Sequence, residues 1–185
     1  GGAGHGIDVY ERSHVMVKNM TIRGWFTGID LSFSNRTYVC DSNITDNHFG
    51  VLCNNVEYSS VIGNNIAGNS DGIAIQGCSN LDIFGNNITT SEYRGIKAVS
   101  SSDSPITYLN IVGNRITRNG AYIGVARGAI EIDAHNYSCI SGNDISGNSG
   151  YGIWLGYWPW ALVCDKISEN SITSNSLDGI PIVMD

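Results

Sequence analysis

Apolar residues alternate along this chain over short runs, as in Ile73-Ala74-Ile75 and Leu81-Asp82-Ile83, and no window keeps an i, i+3, i+4, i+7 stripe for three turns. Period two is the strand signal, so the pattern predicts an all-β chain of short strands. The strands recur in phase. A glycine followed by an apolar residue stands at Gly6-Ile7, Gly28-Ile29, Gly50-Val51, Gly72-Ile73, Gly95-Ile96, Gly128-Ala129, Gly152-Ile153 and Gly179-Ile180. The intervals are 22, 22, 22, 23, 33, 24 and 27 residues. A second unit closes on Ile22, Ile44, Ile66, Ile88, Ile116, Ile145 and Ile172, as in Val61-Ile62-Gly63-Asn64-Asn65-Ile66. Such a period means stacked repeats, each burying its apolar side only against its neighbours.

Two or three strands per repeat, separated by Gly, Asn and Ser turns, predict a coil whose strands stack in parallel at about 4.8 Å per rung, a rod on the order of 36 Å long. One inward wall is Ile7, Ile29, Val51, Ile73 and Ile96, with Val9, Leu31, Cys53, Ile75, Ala98, Ile132 and Leu155 two residues on. A second is Val17, Val39, Val61, Ile83, Ile111, Ile140 and Ile167. Asn64, Asn86, Asn114, Asn143 and Asn170 form one corner column, and Asn47, Asn69, Asn119, Asn148 and Asn175 another. These asparagines are expected to adopt left-handed corner conformations and to bond one another as a ladder.

The unit Ile-x-Gly-Asn-x-Ile followed by a Gly-Ile strand resembles the parallel β-helix repeat of the pectin-lyase-like superfamily, which includes carbohydrate-binding and sugar-hydrolase domains. The resemblance covers nearly the whole chain. It implies a right-handed, single-stranded parallel β-helix of about seven to eight rungs, with residues 1–185 as one domain. It implies polysaccharide as the partner without fixing a reaction, since the superfamily holds lyases, hydrolases, epimerases, tailspikes and non-catalytic surface proteins.

Charge and composition narrow the picture. Charged residues are 15% of the chain, against a typical value of about 25%. The net charge of −7 and the lack of a basic stripe argue against nucleic acid and anionic membrane surfaces. No run of 18 apolar residues exists, which excludes a membrane-inserted helix. Five cysteines without a C-x-x-C leave no zinc or redox motif, and Cys53 reads as core. His5, His14, His48 and His135 lie on different rungs, so no metal centre or cofactor is expected; a surface calcium held by aspartates is the one ion the donor set suits. Sequons at Asn19, Asn35, Asn43, Asn87 and Asn136 are candidates for glycosylation and favour an extracellular or cell-surface location. Neither end carries a capping element, so the expectation is a segment of a longer solenoid or a unit that stacks end to end on copies of itself.

Candidate chemistry sits where the period breaks. Residues 100–105, 119–127 and 156–160 lengthen three loops, which are expected to cluster on one side of the rod. One outward row reads Asp8, Asp30, Leu52, Ala74, Lys97, Glu131 and Trp154; the next reads Tyr10, Ser32, Asn54, Gln76, Val99, Asp133 and Gly156. Strand alternation puts Glu131 and Asp133 on one face about 7 Å apart. That separation suits an inverting pair of carboxylates, for which ~6.5–9.5 Å is typical. The catalytic candidates are therefore Glu131 and Asp133 as acid and base, His135 as accessory proton donor and Lys97 as electrostatic stabiliser. Asp133-Ala134-His135 also resembles the Asp-Pro-His of alginate epimerases, with Ala134 in place of the proline. Trp154, Tyr157, Trp158 and Trp160 offer faces for sugar rings, and Arg94 and Arg127 offer cations for acidic ones. A polysaccharide hydrolase, lyase, epimerase or pure binding domain all fit these residues. The alternative is a non-catalytic structural subunit of a cell-surface layer, sheath or filament.

Overall fold

A computed structural model describes residues 2–100, 105–121, 128–133, 135–156, 166–177 and 179–180, with the side chains of Gly2 and His135 left aside. Every described strand pairs in parallel with its counterpart in the next repeat, and the strands form three sheets. The first sheet stacks Gly2–Asp8, Trp25–Asp30, Phe49–Asn54, Asp71–Gln76, Arg94–Val99, Ile130–Asp133 and Ile153–Gly156. The second runs from Met16–Lys18 to Lys166–Ser168, and the third from Thr21–Arg23 to Ser171–Thr173. Each sheet is seven rungs deep apart from the short strand His135–Asn136, which pairs beside Ile106–Val112 in the second sheet. Seven rungs enclose six complete turns, slightly fewer than the seven to eight expected.

The bore is apolar because one or two residues of every strand point inward. Ile29, Val51, Ile73, Ile96, Ile130 and Ile153 line the first wall, and Val39, Val61, Ile83, Ile111 and Ile140 the second. Ile22, Ile44, Ile66, Ile88, Ile116 and Ile145 line a third wall, so the isoleucines that close the repeat motif are themselves a sheet face. One expected phase is corrected. Ile96 pairs with Ile130, so the sixth copy of the glycine-apolar pair is Ala129-Ile130 rather than Gly128-Ala129. The long insertion before this strand frees Gly128 from the repeat position. Elsewhere that position needs glycine for space: a Cβ on Gly72 would stand 2.5 Å from the Gly95 carbonyl oxygen of the next rung.

The corners divide labour differently from expectation. Left-handed backbone falls on the residue before each inward asparagine, at Gly63, Gly85, Gly113, Gly142 and Glu169 in one corner, and at Asp41 before Ser42 of the same column. Asn64, Asn86, Asn114 and Asn143 are not themselves left-handed; their contribution is hydrogen bonding inside the bore. Asn64 accepts from the Ser42 backbone N–H at 3.0 Å, and in the other three the side-chain oxygen accepts from the backbone N–H and Nδ2 of the asparagine one rung earlier, as Asn86 does from Asn64 at 2.9 and 3.0 Å. Its Nδ2 donates onward to the next asparagine and back to a strand carbonyl, for Asn86 at 3.0 and 2.8 Å. Buried amides thus find partners for every polar atom, which such burial demands. The second corner repeats the arrangement from Asn47 and Asn69 to Asn119, Asn148 and Asn175.

Candidate functional site

The outward rows of the first sheet stand in the order read from the alternation. Ala74 pairs with Lys97, Lys97 with Glu131 and Glu131 with Trp154. One column over, Gln76 pairs with Val99, Val99 with Asp133 and Asp133 with Gly156. Lys97, Glu131, Asp133 and Trp154 are therefore neighbours across three rungs. His135 begins the short strand of the second sheet, two residues past Asp133 and beyond the corner. Tyr157, Trp158, Trp160 and Arg127 lie outside the described residues, as does Ala134 of the run compared with the epimerase motif.

Glu131 departs from a solvent-facing acid. It is 0% exposed, and its Oε2 accepts a charge-assisted hydrogen bond from Arg94 Nε. Arg94, expected as a substrate contact, is itself nearly covered and reaches on its other side to Asp71 Oδ1 at 3.6 Å. Two carboxylates from the rungs on either side thus share one guanidinium. The cause is geometric: Arg94 lies at the start of its strand, in register with Asp71, and its long side chain crosses to the rung above. Burial pushes the Asp71 carboxyl above the ordinary aspartate range, and the attraction of Arg94 and Lys97 offsets this only in part.

Asp133 and Trp154 are placed differently. Both are partly exposed, and the backbone of Gly156 lies beneath them. A Cβ at residue 156 would run into both the Asp133 carboxylate and the six-membered ring of Trp154. Glycine at this position is what lets a carboxylate and an indole converge on the sheet surface. Toward the earlier rungs, Lys97 lines a shallow groove of about 210 Å³ with Phe49, Leu52, Ala74, Gln76 and Val99.

Most of the three lengthened loops expected at 100–105, 119–127 and 156–160 lies outside the described residues. Among the described residues, no three His, Cys, Asp or Glu side chains converge as a metal site.

Residues 5–163 match the family described as "Right handed beta helix region". The chain belongs to the right-handed β-helix family. Its fold is that of the pectin-lyase-like β-helices. Pectate lyase Pel9A superposes at a TM-score of 0.58 and 11% identity, covering 88% of this chain and 50% of that one. The surface protein and adhesin PfbA of Streptococcus pneumoniae gives 0.57 and 11%, covering 92% and 65%. This right-handed β-helix thus spans half to two-thirds of the length of those structures. No curated protein sequence matches it.

Sequence reasoning missed a second feature of this β-helix, an exposed aromatic cluster on rungs two and three. Phe26 stacks on His48 with ring centroids 4.8 Å apart, and Phe49 stands edge-on to both at 5.7 and 4.4 Å. Trp25 lies beside them. The available signal was Trp25 itself, at the position one rung before Asn47 in an otherwise polar corner column.

Proposed function

We propose that this β-helix is a polysaccharide-binding domain that works outside the cell or at its surface, with the contact face on the first sheet around Asp133 and Trp154. The observation that carries the reading is the convergence of the Asp133 carboxylate and the Trp154 indole over Gly156. Sugar rings present C–H faces that stack on aromatic rings and hydroxyls that donate to carboxylates. The two structural relatives lend support of different kinds, one being a pectate lyase and the other a surface protein and adhesin. Among the described residues, no helix is long and apolar enough to cross a membrane. Of the five sequons, Asn19 is the most openly presented, on an exposed left-handed corner. We take it as the first glycosylation candidate.

Binding fits the geometry better than a two-carboxylate hydrolysis. Glu131 is buried and engaged with Arg94, so its role in this reading is to position that arginine rather than to shuttle protons. If catalysis occurs on this face, Asp133 is the residue to carry it, with Lys97 stabilising charge and His135 near the corner. The test measures binding and turnover on neutral and uronate polysaccharides for native protein, Trp154→Ala, Asp133→Asn and Gly156→Ala. Trp154→Ala should weaken binding about tenfold, the free energy of a good aromatic contact. Gly156→Ala should do the same by displacing both side chains while leaving them present. Turnover abolished by Asp133→Asn would add an enzymatic role. Full binding by Trp154→Ala and Gly156→Ala would remove the site from this face.

A further inference from the structure

The aromatic cluster of rungs two and three stands over a groove of about 390 Å³, lined by Trp25, Phe26, Asp46, Asn47, His48, Gly68 and Ser70. Its origin is local. Along this corner a backbone N–H donates to the asparagine oxygen of the next rung wherever asparagine stands there, as Asn47 does to Asn69 at 3.0 Å. Trp25 N–H makes the same bond to Asn47 Oδ1 at 3.0 Å, so Trp25 holds the column position where Asn47 and Asn69 turn inward. An indole is too large for that amide slot. The ring instead lies on the surface, 41% exposed, with Phe26 beside it at 50%.

Phe26, His48 and Phe49 pack on one another although Phe26 and His48 are exposed. Phe26 lies nearly parallel to His48, at 24°, and Phe49 is perpendicular to Phe26, at 89°. A set of rings held by edge and face contacts presents a stacking platform without needing to order on binding. The rim supplies hydrogen-bonding groups for hydroxyls. Asp46 is held by Arg23 at 2.7 Å, and Ser70 Oγ donates to Glu92 Oε2 at 3.0 Å. Arg23 is matched by Asp46, and Glu92 leaves the rim acidic. That balance repels a uronate and suits an uncharged ring.

The aromatic cluster borders the next groove of the first sheet through Phe49, and that groove reaches Lys97. From Phe49 the register steps through Asp71 and Arg94 to the rungs of Glu131 and Trp154. Four rungs at about 4.8 Å separate the two platforms by roughly 19 Å along the rod, and the five residues from Trp25 to the Asp30 column of Trp154 add about 17 Å across the sheet. We propose that the Trp25–Phe26–His48 groove is a second saccharide subsite that takes an uncharged pyranose unit of the same polymer held at Asp133 and Trp154. This inference rests on the polysaccharide-binding reading and adds a site, a sugar class and a direction, with the glycan crossing the first sheet obliquely from the start of its strands to their end.

The experiment is calorimetric titration with soluble β-glucan, galactomannan and xylan as neutral probes and polygalacturonate as the acidic one. The proteins are native, Trp25→Ala/Phe26→Ala, Trp25→Phe and Trp154→Ala, with melting curves to establish equal folding. The double variant should bind a neutral polymer about tenfold or more weakly, and Trp25→Phe should keep the affinity within about threefold because a ring remains. Trp154→Ala should weaken the same polymer, as one chain spans both platforms. Unchanged neutral-glycan affinity in the double variant, with loss in Trp154→Ala, overturns the second subsite and leaves the first-sheet site standing. Binding of polygalacturonate alone overturns the uncharged-sugar assignment. No glycan bound by native protein overturns both readings and turns attention to a protein partner for the aromatic cluster.

Discussion

Asn86→Ala tests what holds the rungs in register. Asn86 is 1% exposed and its amide makes four buried hydrogen bonds. Alanine deletes all four, at roughly 1 kcal/mol net each, and leaves the Asn64 backbone N–H without that acceptor inside the bore. A water admitted to the vacated space would recover part of the loss. The expected cost is about 4 kcal/mol, or about 8–16 °C in melting temperature for a chain of this size. The adjacent residue is the control. Asn87 faces outward and bonds Asn65 at 2.8 Å and Arg115 at 3.2 Å, both at the surface. Asn87→Ala should cost no more than about 0.5 kcal/mol. Urea unfolding followed by circular dichroism measures both, provided the m-value is unchanged, because a solenoid that unzips from one end would lower it. Equal costs at residues 86 and 87 would refute the reasoning and assign the stability to the apolar walls alone.

Asp71 gives a pH-dependent expectation. Its folded carboxyl is raised above the ordinary 3.8, so the folded state holds the proton more tightly than the unfolded chain. Its contribution to stability therefore falls as pH rises from 3.8 through the raised value, and the loss is complete above it. Asp71→Asn should remove that fall and be at least as stable as native protein at neutral pH, as melting curves across pH can establish; lower stability with an unchanged slope would contradict it. The thiols give another. Burial pushes Cys78 to about 11 and Cys53 well upward, while Cys40 and Cys139 are only half-buried. Among the described cysteines, iodoacetamide at mildly alkaline pH should label Cys40 and Cys139 ahead of Cys53 and Cys78 by mass spectrometry, and labelling of Cys53 at the rate of Cys40 would show the bore to be open.

The walls and outward rows were legible because strand alternation and a 22-residue period leave only one register that buries isoleucine over isoleucine. The pairing of Lys97, Glu131 and Trp154 followed directly from that rule. Its failures have physical causes. The 33-residue interval before Gly128 breaks the local period, so the glycine that marks the strand elsewhere stands one residue early here. Asparagine composition suits left-handed corners, but the residue before each asparagine carries that backbone, whether glycine, aspartate or, at Arg118, Glu169 and Ser174, another type. Outward alternation made Glu131 look exposed. The side chain that covers it, Arg94, comes from an earlier rung and leaves no periodic trace.

A solenoid separates structure from chemistry, because each inward column must repeat while each outward residue is free to differ. Departures inside a column are therefore informative according to their size. Ser91 replaces asparagine in one corner column, keeps its N–H bond to Asn119 at 2.9 Å and stays fully buried. A small polar replacement is absorbed, with an unmet hydroxyl as the residue of the exchange. Trp25 at the end of the same column cannot be absorbed and places an indole on the surface. On the outer face the converse holds at Gly156, where the absence of a side chain makes room for the Asp133 carboxylate and the Trp154 indole. Both candidate contact sites thus arise from a residue of unsuitable size for its column, one too large and one absent. Both set an aromatic ring beside a carboxylate, at opposite ends of the first-sheet strands. That shared construction is the physical argument for treating them as two contacts of one extended ligand.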